Sequence, residues 1–203
     1  MPNATGLFGL RPVRHISGAP WNGATIRAYI SSLYATALYV GDPILWSPTL
    51  TEKDTTGQHP TVNRSAGTAG TVIRGVIVSF EPLLTDLNKN YNAASTERYA
   101  NICVDPDVIY QIRGDGGGTL TKAVPGQNAV CIAGSGGSTA TGFSSFGLDE
   151  GTTTAPTTTQ NFTLHIIGIA KQEDNALGVN ALYEVLLNTC ENATGRFLGI
   201  TAS

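Results

Sequence analysis

The sequence predicts an all-β fold, because short runs of β-branched and aromatic residues alternate with turn-forming residues along its length. The chain has 203 residues, of which 24 are glycine, and glycine is typical of the turns that join short strands. No stretch keeps apolar residues at helical spacing over several turns. A chain of this length can bury a sizeable core without disulfides or metals. We therefore expect one large all-β domain, with or without an extended arm.

The strongest strand signal lies at residues 71–82, which contain two runs of valine and isoleucine. Both faces of an alternating strand would be apolar here, so the segment is expected at the centre of a closed or stacked sheet. Gly75 predicts a bulge or a close backbone approach, and Pro82 ends the ladder because it has no amide donor. Arg74 is isolated on an apolar face, so we expect it to pair with an acid or to meet a partner subunit.

The remaining strands are predicted from runs of similar composition. They are expected at residues 26–30, 37–40, 44–46, 98–104, 108–113, 128–133, 162–171 and 181–188. The segments at 98–104 and 108–113 are expected to pair around the turn sequence Asp105-Pro106-Asp107. Long polar loops are expected at residues 49–70, 84–97, 134–142 and 151–160. Residues 26–203 are thus interpreted as a single domain.

Residues 1–25 mix glycine and proline with large apolar side chains, which suits neither a helix nor a regular strand. The segment is also too apolar for a disordered tail. We interpret it as an extended N-terminal docking arm that packs on a neighbour, with packing on its own domain as the alternative. The candidate docking residues are Leu7, Phe8, Leu10, Arg11, Val13, Arg14, Ile16 and Trp21.

Charge is scarce and unevenly distributed. Only 13% of the residues are charged, about half of what soluble domains usually carry, which hints that partners cover much of the surface. Residues 1–41 contain three arginines and no acid, so they carry a charge of +3. Because the net charge of the chain is −3, the remaining residues carry −6. The basic segment is expected to dock on something negative, protein or nucleic acid, or else its arginines are merely scattered. The basic residues are too few for a nucleic-acid face of the usual kind.

The three cysteines are widely spaced and include no CxxC pair. A disulfide framework or a zinc site is therefore not expected, and Cys103 and Cys131 lie inside apolar strand patterns, where cysteine behaves as a small hydrophobe. The sequence shows no signal peptide and no apolar run of membrane-spanning length. We expect a protein made in a cytoplasm, with no membrane contact and no cofactor.

Catalytic patterns are weak throughout. His15, His59 and His165 lie far apart, and His165 is interpreted as a half-buried structural residue inside a strand. Neither a phosphate-binding loop nor a dinucleotide fingerprint is present. Asp105 and Asp107 form a tight pair of carboxylates, and they suit a turn better than an acid-base or cation site. We therefore expect no catalytic residue and no metal.

Several stretches spread over most of the chain share the pattern of a known family. They are residues 3–14, 37–44, 73–80, 103–112, 126–129, 165–170, 174–175 and 181–188. Together they resemble tailed-phage head proteins, namely the small decoration or cement proteins that sit on the major capsid shell. The resemblance implies a compact β-barrel or β-tulip-like body, an extended N-terminal arm, and assembly in clusters, often trimers, on an icosahedral lattice.

The leading hypothesis is a non-enzymatic virion protein on the capsid exterior, which binds the major capsid protein and further copies of itself and cements neighbouring capsomers. Direct nucleic-acid binding is not expected. One alternative is a host-surface module whose Gly/Thr-rich loops bind glycans with the help of Phe143 and Phe146. Another is an enzyme, which would need Asp105 and Asp107 in a concave pocket.

Overall fold

The structure is a computed structural model that describes residues 3–118, 120–190 and 193–194. Within these residues the fold is nearly all β, which confirms the predicted fold class. The helical part is a three-residue 3-10 helix at Leu50–Glu52. The strands are β1 (Arg11–His15), β2 (Ile26–Ile30), β3 (Pro43–Trp46), β4 (Val62–Arg64), β5 (Gly75–Phe80), β6 (Arg98–Cys103), β7 (Val108–Arg113), β8 (Asn128–Ala129), β9 (Cys131–Gly137), β10 (Ser144–Leu148), β11 (Leu164–Ile169), β12 (Leu182–Leu187), β13 (Thr189–Cys190) and β14 (Ala193–Thr194).

The larger core lies on sheet A, which has five antiparallel strands in the order β1-β7-β12-β11-β8. Alternation along β7 and β12 places Tyr110, Ile112, Tyr183 and Val185 on the inner face, and all four are buried. The hairpin of β9 and β10 covers this core and contributes the buried ring of Phe146. Burial of large aromatic rings in its centre makes this core the main apolar contribution to stability.

Sheet B has five antiparallel strands in the order β2-β6-β5-β3-β4. Residues 75–80 of the predicted segment form β5, the middle strand of the five, so a central strand is confirmed, while residues 71–74 precede it without strand structure. The strand begins at Gly75, where an added Cβ would lie 2.4 Å from the carbonyl oxygen of Cys103. This is the close backbone approach that the glycine predicts, and the bulge of β5 lies further along, between Ile77 and Ser79.

Arg74, which immediately precedes β5, packs inside its own domain. Its guanidinium lies 5.0 Å from the centroid of the Trp46 ring, a cation–π arrangement. Its backbone amide donates to the carbonyl of Ile44 at 2.6 Å. The isolated cation on an apolar face thus meets an aromatic ring of the neighbouring strand.

Neither large sheet closes into the expected barrel through a continuous ladder within the described residues. Sheet B comes nearest, since a single bridge joins Tyr29 in edge strand β2 to Thr61 beside edge strand β4. Closure requires tilt and stagger around the whole sheet, whereas sheet B curls around a small core of its own. That core contains Ala28, Ile30, Leu38, Ile44, Val62, Ile77, Ala100 and Ile102. The body therefore holds two apolar cores.

The predicted pairing of the strands around Asp105-Pro106-Asp107 is wrong, although both strands exist. β6 belongs to sheet B and β7 to sheet A, so the turn carries the chain from one sheet to the other. Asp105 stabilises the turn by accepting a hydrogen bond from the amide of Asp107 at 2.8 Å. Across the crossover the Tyr110 hydroxyl donates to Cys103 Sγ at 3.2 Å. Two consecutive strands with apolar residues on both faces can pair with each other as a hairpin or can belong to two different sheets. Their sequence alone does not distinguish the two arrangements.

Further segments differ from expectation. β1 forms within residues 1–25, where no regular strand was expected, and β4 forms within the predicted loop 49–70. Residues 37–40 form isolated bridges instead of a strand, and β9 runs to Gly137, into the predicted loop 134–142. The glycines of β9 allow close packing: a Cβ on Gly134 would lie 2.6 Å from the Ser145 carbonyl oxygen, and one on Gly137 would lie 2.4 Å from the Tyr39 ring. The composition of this segment suggested a flexible linker. In the structure its glycines instead allow the backbone of β9 to pack closely against Ser145 and Tyr39.

Candidate binding surface

The N-terminal segment builds one wall of an apolar groove on the outside of the body. The groove encloses about 490 Å³, and we call it the Phe143 groove. Its other wall comes from β5 and from the residues just before β10. Its principal lining residues are Phe8, Leu10, Arg11, Trp21, Val78 and Phe143.

Hydrogen bonds to the chain's own sheets fix the N-terminal wall. β1 pairs with β7, and the Leu10 amide donates to the Gly41 carbonyl at 2.9 Å. The Gly9 amide donates to the Phe146 carbonyl at 3.2 Å, and the Leu10 side chain is buried in the larger core. The described part of the segment thus contacts its own domain, the alternative left open by the sequence. Its outward side chains stay free to meet a partner, so docking remains a prediction.

Two glycines make this attachment possible, and we call Gly9, Leu10, Gly41 and Asp42 the Gly41 junction. Gly9 has φ +75° and Gly41 has φ +94°, conformations that favour glycine. A Cβ on Gly9 would lie 2.3 Å from the Gly41 carbonyl oxygen, and one on Gly41 would lie 2.3 Å from the Phe8 carbonyl oxygen. The two backbones touch directly, so no side chain fits between them.

The opposite wall presents Phe143 to solvent. Backbone hydrogen bonds on either side of this residue hold it: Val40 donates to Gly142 at 2.9 Å and Ser144 donates to Val40 at 2.9 Å. The Phe143 side chain is nevertheless 48% exposed. Across the groove, the buried indole N–H of Trp21 has no acceptor among the described residues. The groove therefore offers an apolar surface with an exposed aromatic ring.

Two arginines give the N-terminal wall a positive charge. The guanidinium carbons of Arg11 and Arg113 lie 5.2 Å and 5.8 Å from the centroid of the Phe8 ring. Arg11 donates to the Gln111 amide oxygen at 2.8 Å, and neither arginine forms an ion pair with a carboxylate in the described part of the chain. Burial, and to a lesser extent the charge of Arg11, lower the pKa of Arg113. This wall favours a negatively charged group.

The other outward-facing docking candidates line a separate, more open surface on the outer face of sheet A. This Ile16 depression encloses about 440 Å³ and is lined by Arg14, Ile16, Ile109, His165, Ile167 and Leu186. Ile16 is 49% exposed, and Arg14 is held by a 2.6 Å ion pair to Glu184. The two remaining candidates, Leu7 and Val13, are half-buried. The structure therefore divides the predicted docking residues between two surfaces.

A third exposed apolar feature is a turn at residues 83–87, which we call the leucine turn. The Asp86 amide donates to the Leu83 carbonyl at 2.9 Å, and this bond closes a turn with Leu84 near its tip. Leu84 is 94% exposed and Leu87 is 73% exposed. The leucine turn was not predicted, because its residues lie in a segment whose composition indicates a polar loop. Val78 was not predicted as a surface residue either, since it belongs to the strand predicted at the centre of the sheet.

Of the candidate catalytic residues, the structure brings one pair together, Asp105 and His15, and leaves His165 elsewhere. Asp105 lies at the crossover turn, with its Oδ2 3.4 Å from His15 Nδ1, while His165 Nδ1 lies 2.7 Å from Asn128 Oδ1. Burial lowers the pKa of His165, as its structural interpretation predicts. Among the described residues no group of three or more His, Cys, Asp and Glu side chains is placed to hold a metal ion.

A buried acid, Glu150, connects several loops near the start of β12. Glu150 is 3% exposed, and its carboxylate accepts hydrogen bonds from the amides of Gly116 and Asn180 and from the Tyr183 hydroxyl, each at 3.1 Å. Its own amide donates to Asp115 at 3.1 Å. Burial raises the pKa of Glu150, and the hydrogen bonds oppose that rise. We call this cluster the Glu150 junction.

Asp42 is the acid of the Gly41 junction and is fully buried. It accepts a hydrogen bond from the Tyr39 amide at 3.0 Å. Burial raises the pKa of Asp42 to about 6, against the opposing effects of Ser144 and the Tyr39 amide. The Gly41 junction therefore contains a buried carboxyl group whose pKa lies well above its ordinary value.

Comparisons with known proteins add no family assignment. No family model matches the chain, and neither a curated protein nor a solved structure matches it.

The only helix in the described residues, at Leu50–Glu52, is too short to cross a membrane. Of the aromatic pair considered for glycan contacts, Phe143 is exposed and Phe146 is buried in the larger core, so that hypothesis stays a prediction with one exposed ring.

Proposed function

We propose that the chain is a non-enzymatic virion structural protein that binds the outside of a tailed-phage capsid shell and stabilises neighbouring capsomers. Its partners in this proposal are the major capsid protein and further copies of itself, as a homotrimer or another small homo-oligomer. The β-tulip-like description of the body and the docking role of residues 1–25 belong to the same proposal. The resemblance to decoration proteins and the low charge of the chain support it.

The observation that carries the proposal is that one N-terminal segment contributes to two separate apolar surfaces. The Phe143 groove and the Ile16 depression share no lining residue. A protein that decorates a lattice needs one contact with the shell and another with a neighbouring copy. The Ile16 depression is the more open of the two and occupies a sheet face, so we assign it to the shell.

The energetics of such docking do not require a strong single contact. Complete burial of an isoleucine side chain contributes about 1.5–3 kcal/mol, and Ile16 has roughly half of its surface left to bury. Many copies on one lattice act multivalently, so weak contacts add up. A protein that bridges capsomers in this way raises the free energy needed to separate them.

The test is binding to purified heads that lack the protein, measured by co-sedimentation and by cryo-EM occupancy. Ile16→Ser is expected to weaken binding about tenfold, since losing half of an isoleucine's burial corresponds to about 1.4 kcal/mol. Leu50→Ser is the matched control, because Leu50 is exposed and lines neither surface. Full occupancy with Ile16→Ser would refute the assignment of this surface, and heads that never bind the wild-type protein would refute the function.

A further inference from the structure

We propose that the Phe143 groove of one copy binds the leucine turn of a second copy. This inference rests on the self-association part of the proposed function and names the contact that would produce it. Every chain carries both the groove and the turn. The groove provides an apolar surface and a cation, and the turn provides exposed leucine side chains and a carboxylate.

The leucine turn is shaped as an insert. The hydrogen bond from the Asp86 amide to the Leu83 carbonyl holds the turn closed, so little backbone entropy would be lost when it binds. Leu84 and Leu87 are almost wholly exposed, and two such side chains beside each other are costly unless a partner covers them. Asp86 lies between them and makes no ion pair within the described residues.

The Phe143 groove supplies the complementary surface. The exposed ring of Phe143 and the side chains of Val78 and Trp21 form an apolar site for a leucine side chain. At the same groove Arg11 offers a cation that has no carboxylate partner in the described part of its own chain. A bulky apolar side chain with a carboxylate two residues away therefore matches the groove in both polarity and charge.

Charge also argues against two other occupants. No acidic residue lines the Phe143 groove or the adjoining depression that shares Val40, Val78 and Phe143 with it. A basic segment would meet Arg11 and, in the adjoining depression, Lys89 and Arg98, and like charges in close contact are unfavourable. A face-to-face contact of two identical grooves would likewise oppose arginine to arginine. Residues 83–87 carry Asp86 and no cation, so the leucine turn itself brings no like charge to Arg11.

The test is a charge exchange between copies, followed by sedimentation velocity over a concentration series. The full-length chains Arg11→Asp and Asp86→Arg each place like charges in the contact, so each is expected to self-associate at least tenfold more weakly than wild type. An equimolar mixture of the two restores opposite charges in both pairings. Contacts between unlike copies are therefore restored, so the mixture is expected to associate more strongly than either variant alone, which also shows that both variants are folded. Lys171→Asp is the control, because Lys171 is an exposed cation outside both surfaces.

Apolar variants test the other half of the contact. Leu84→Ser and Phe143→Ser are each expected to weaken self-association at least tenfold, and Leu50→Ser to leave it unchanged. A wild-type chain that stays monomeric at all concentrations, or a mixture that fails to recover association, would overturn the proposal. If Phe143→Ser lowered head occupancy but not self-association, the groove would belong to the shell and the inference would again be wrong. Head binding through Ile16 is measured separately, so the proposed function can stand or fall independently.

Discussion

The Gly41 junction and the Glu150 junction both tie loops to the larger core, but they do so by different chemistry. At the Gly41 junction two backbones touch directly, with a Cβ on Gly9 excluded by a carbonyl oxygen 2.3 Å away. At the Glu150 junction a carboxylate spans the gap and accepts three hydrogen bonds from its surroundings. The first contact leaves no space for a side chain, and the second depends on one.

The two junctions also differ in what they hold in place. The Gly41 junction holds the wall of the Phe143 groove, and a wall made of backbone contact keeps Phe8 and Arg11 in place without extra side chains. The Glu150 junction lies away from the groove and satisfies its polar groups internally, as buried polar groups usually are. The groove, by contrast, leaves the Phe143 ring half exposed, which is typical of a surface that a partner covers.

The largest effect is expected at the Gly41 junction. Gly9→Ala adds a Cβ within 2.3 Å of a carbonyl oxygen at φ +75°, so we expect a loss of about 3 kcal/mol or more, roughly 10 °C in Tm. Gly18→Ala is the matched control, because Gly18 has φ +90° with no atom within 4 Å of the added Cβ. There the strain acts alone and should cost about 1 kcal/mol. Equal melting temperatures for the two variants, measured by calorimetry, would disprove the close approach.

The next effect is expected at the Glu150 junction. Glu150→Ala leaves two amides and the Tyr183 hydroxyl without their acceptor, which should cost about 3 kcal/mol. Glu150→Gln keeps an oxygen for the amides and can donate to the hydroxyl oxygen, so it should cost about 1 kcal/mol. Urea unfolding of both variants measures the difference. If Glu150→Gln were as harmful as Glu150→Ala, the junction would depend on the negative charge and the comparison would need revision.

A pH-dependent effect should distinguish the Gly41 junction further. The pKa of Asp42 is raised from 3.8 to about 6 in the folded protein, so the folded state holds this proton more tightly than the unfolded state. Stability from this group is complete below about pH 4, falls as the pH rises, and is lost above about pH 6. The full difference corresponds to about 3 kcal/mol.

Asp42→Asn removes this titration, so its stability relative to wild type should increase between about pH 4 and pH 7. The comparison with wild type cancels the opposite behaviour of Glu81 and Asp54, whose pKa values are lowered chiefly by hydrogen bonds from Arg27 and Thr56. Urea unfolding at several pH values measures the relative stability. A difference that stays constant with pH would show that Asp42 does not titrate in this range.

The sequence predicted most strands but less of the surface, for physical reasons that particular residues show. β5 and β12 are dense in valine, isoleucine and leucine, and that composition suits strands wherever they occur. The crossover at Asp105 could not be predicted, because a turn-forming residue specifies a local bend and not which sheet follows. Phe143 and Val78 become a surface only when the backbone of Gly9 meets that of Gly41, a contact between residues distant in sequence.

The smallest effect on stability is expected in the Phe143 groove itself. Phe143→Ala removes a ring that is already half exposed, so the free energy of unfolding of the monomer should fall by less than about 1 kcal/mol. The same substitution should weaken self-association at least tenfold, because the ring would be buried only in the contact between copies. Chemical denaturation at concentrations below association measures the first quantity, and sedimentation measures the second. If the free energy of unfolding instead fell by about 3–5 kcal/mol, as it does when a core phenylalanine is replaced, Phe143 would belong to the core. The contrast between the internally satisfied Glu150 junction and the unfilled groove would then disappear.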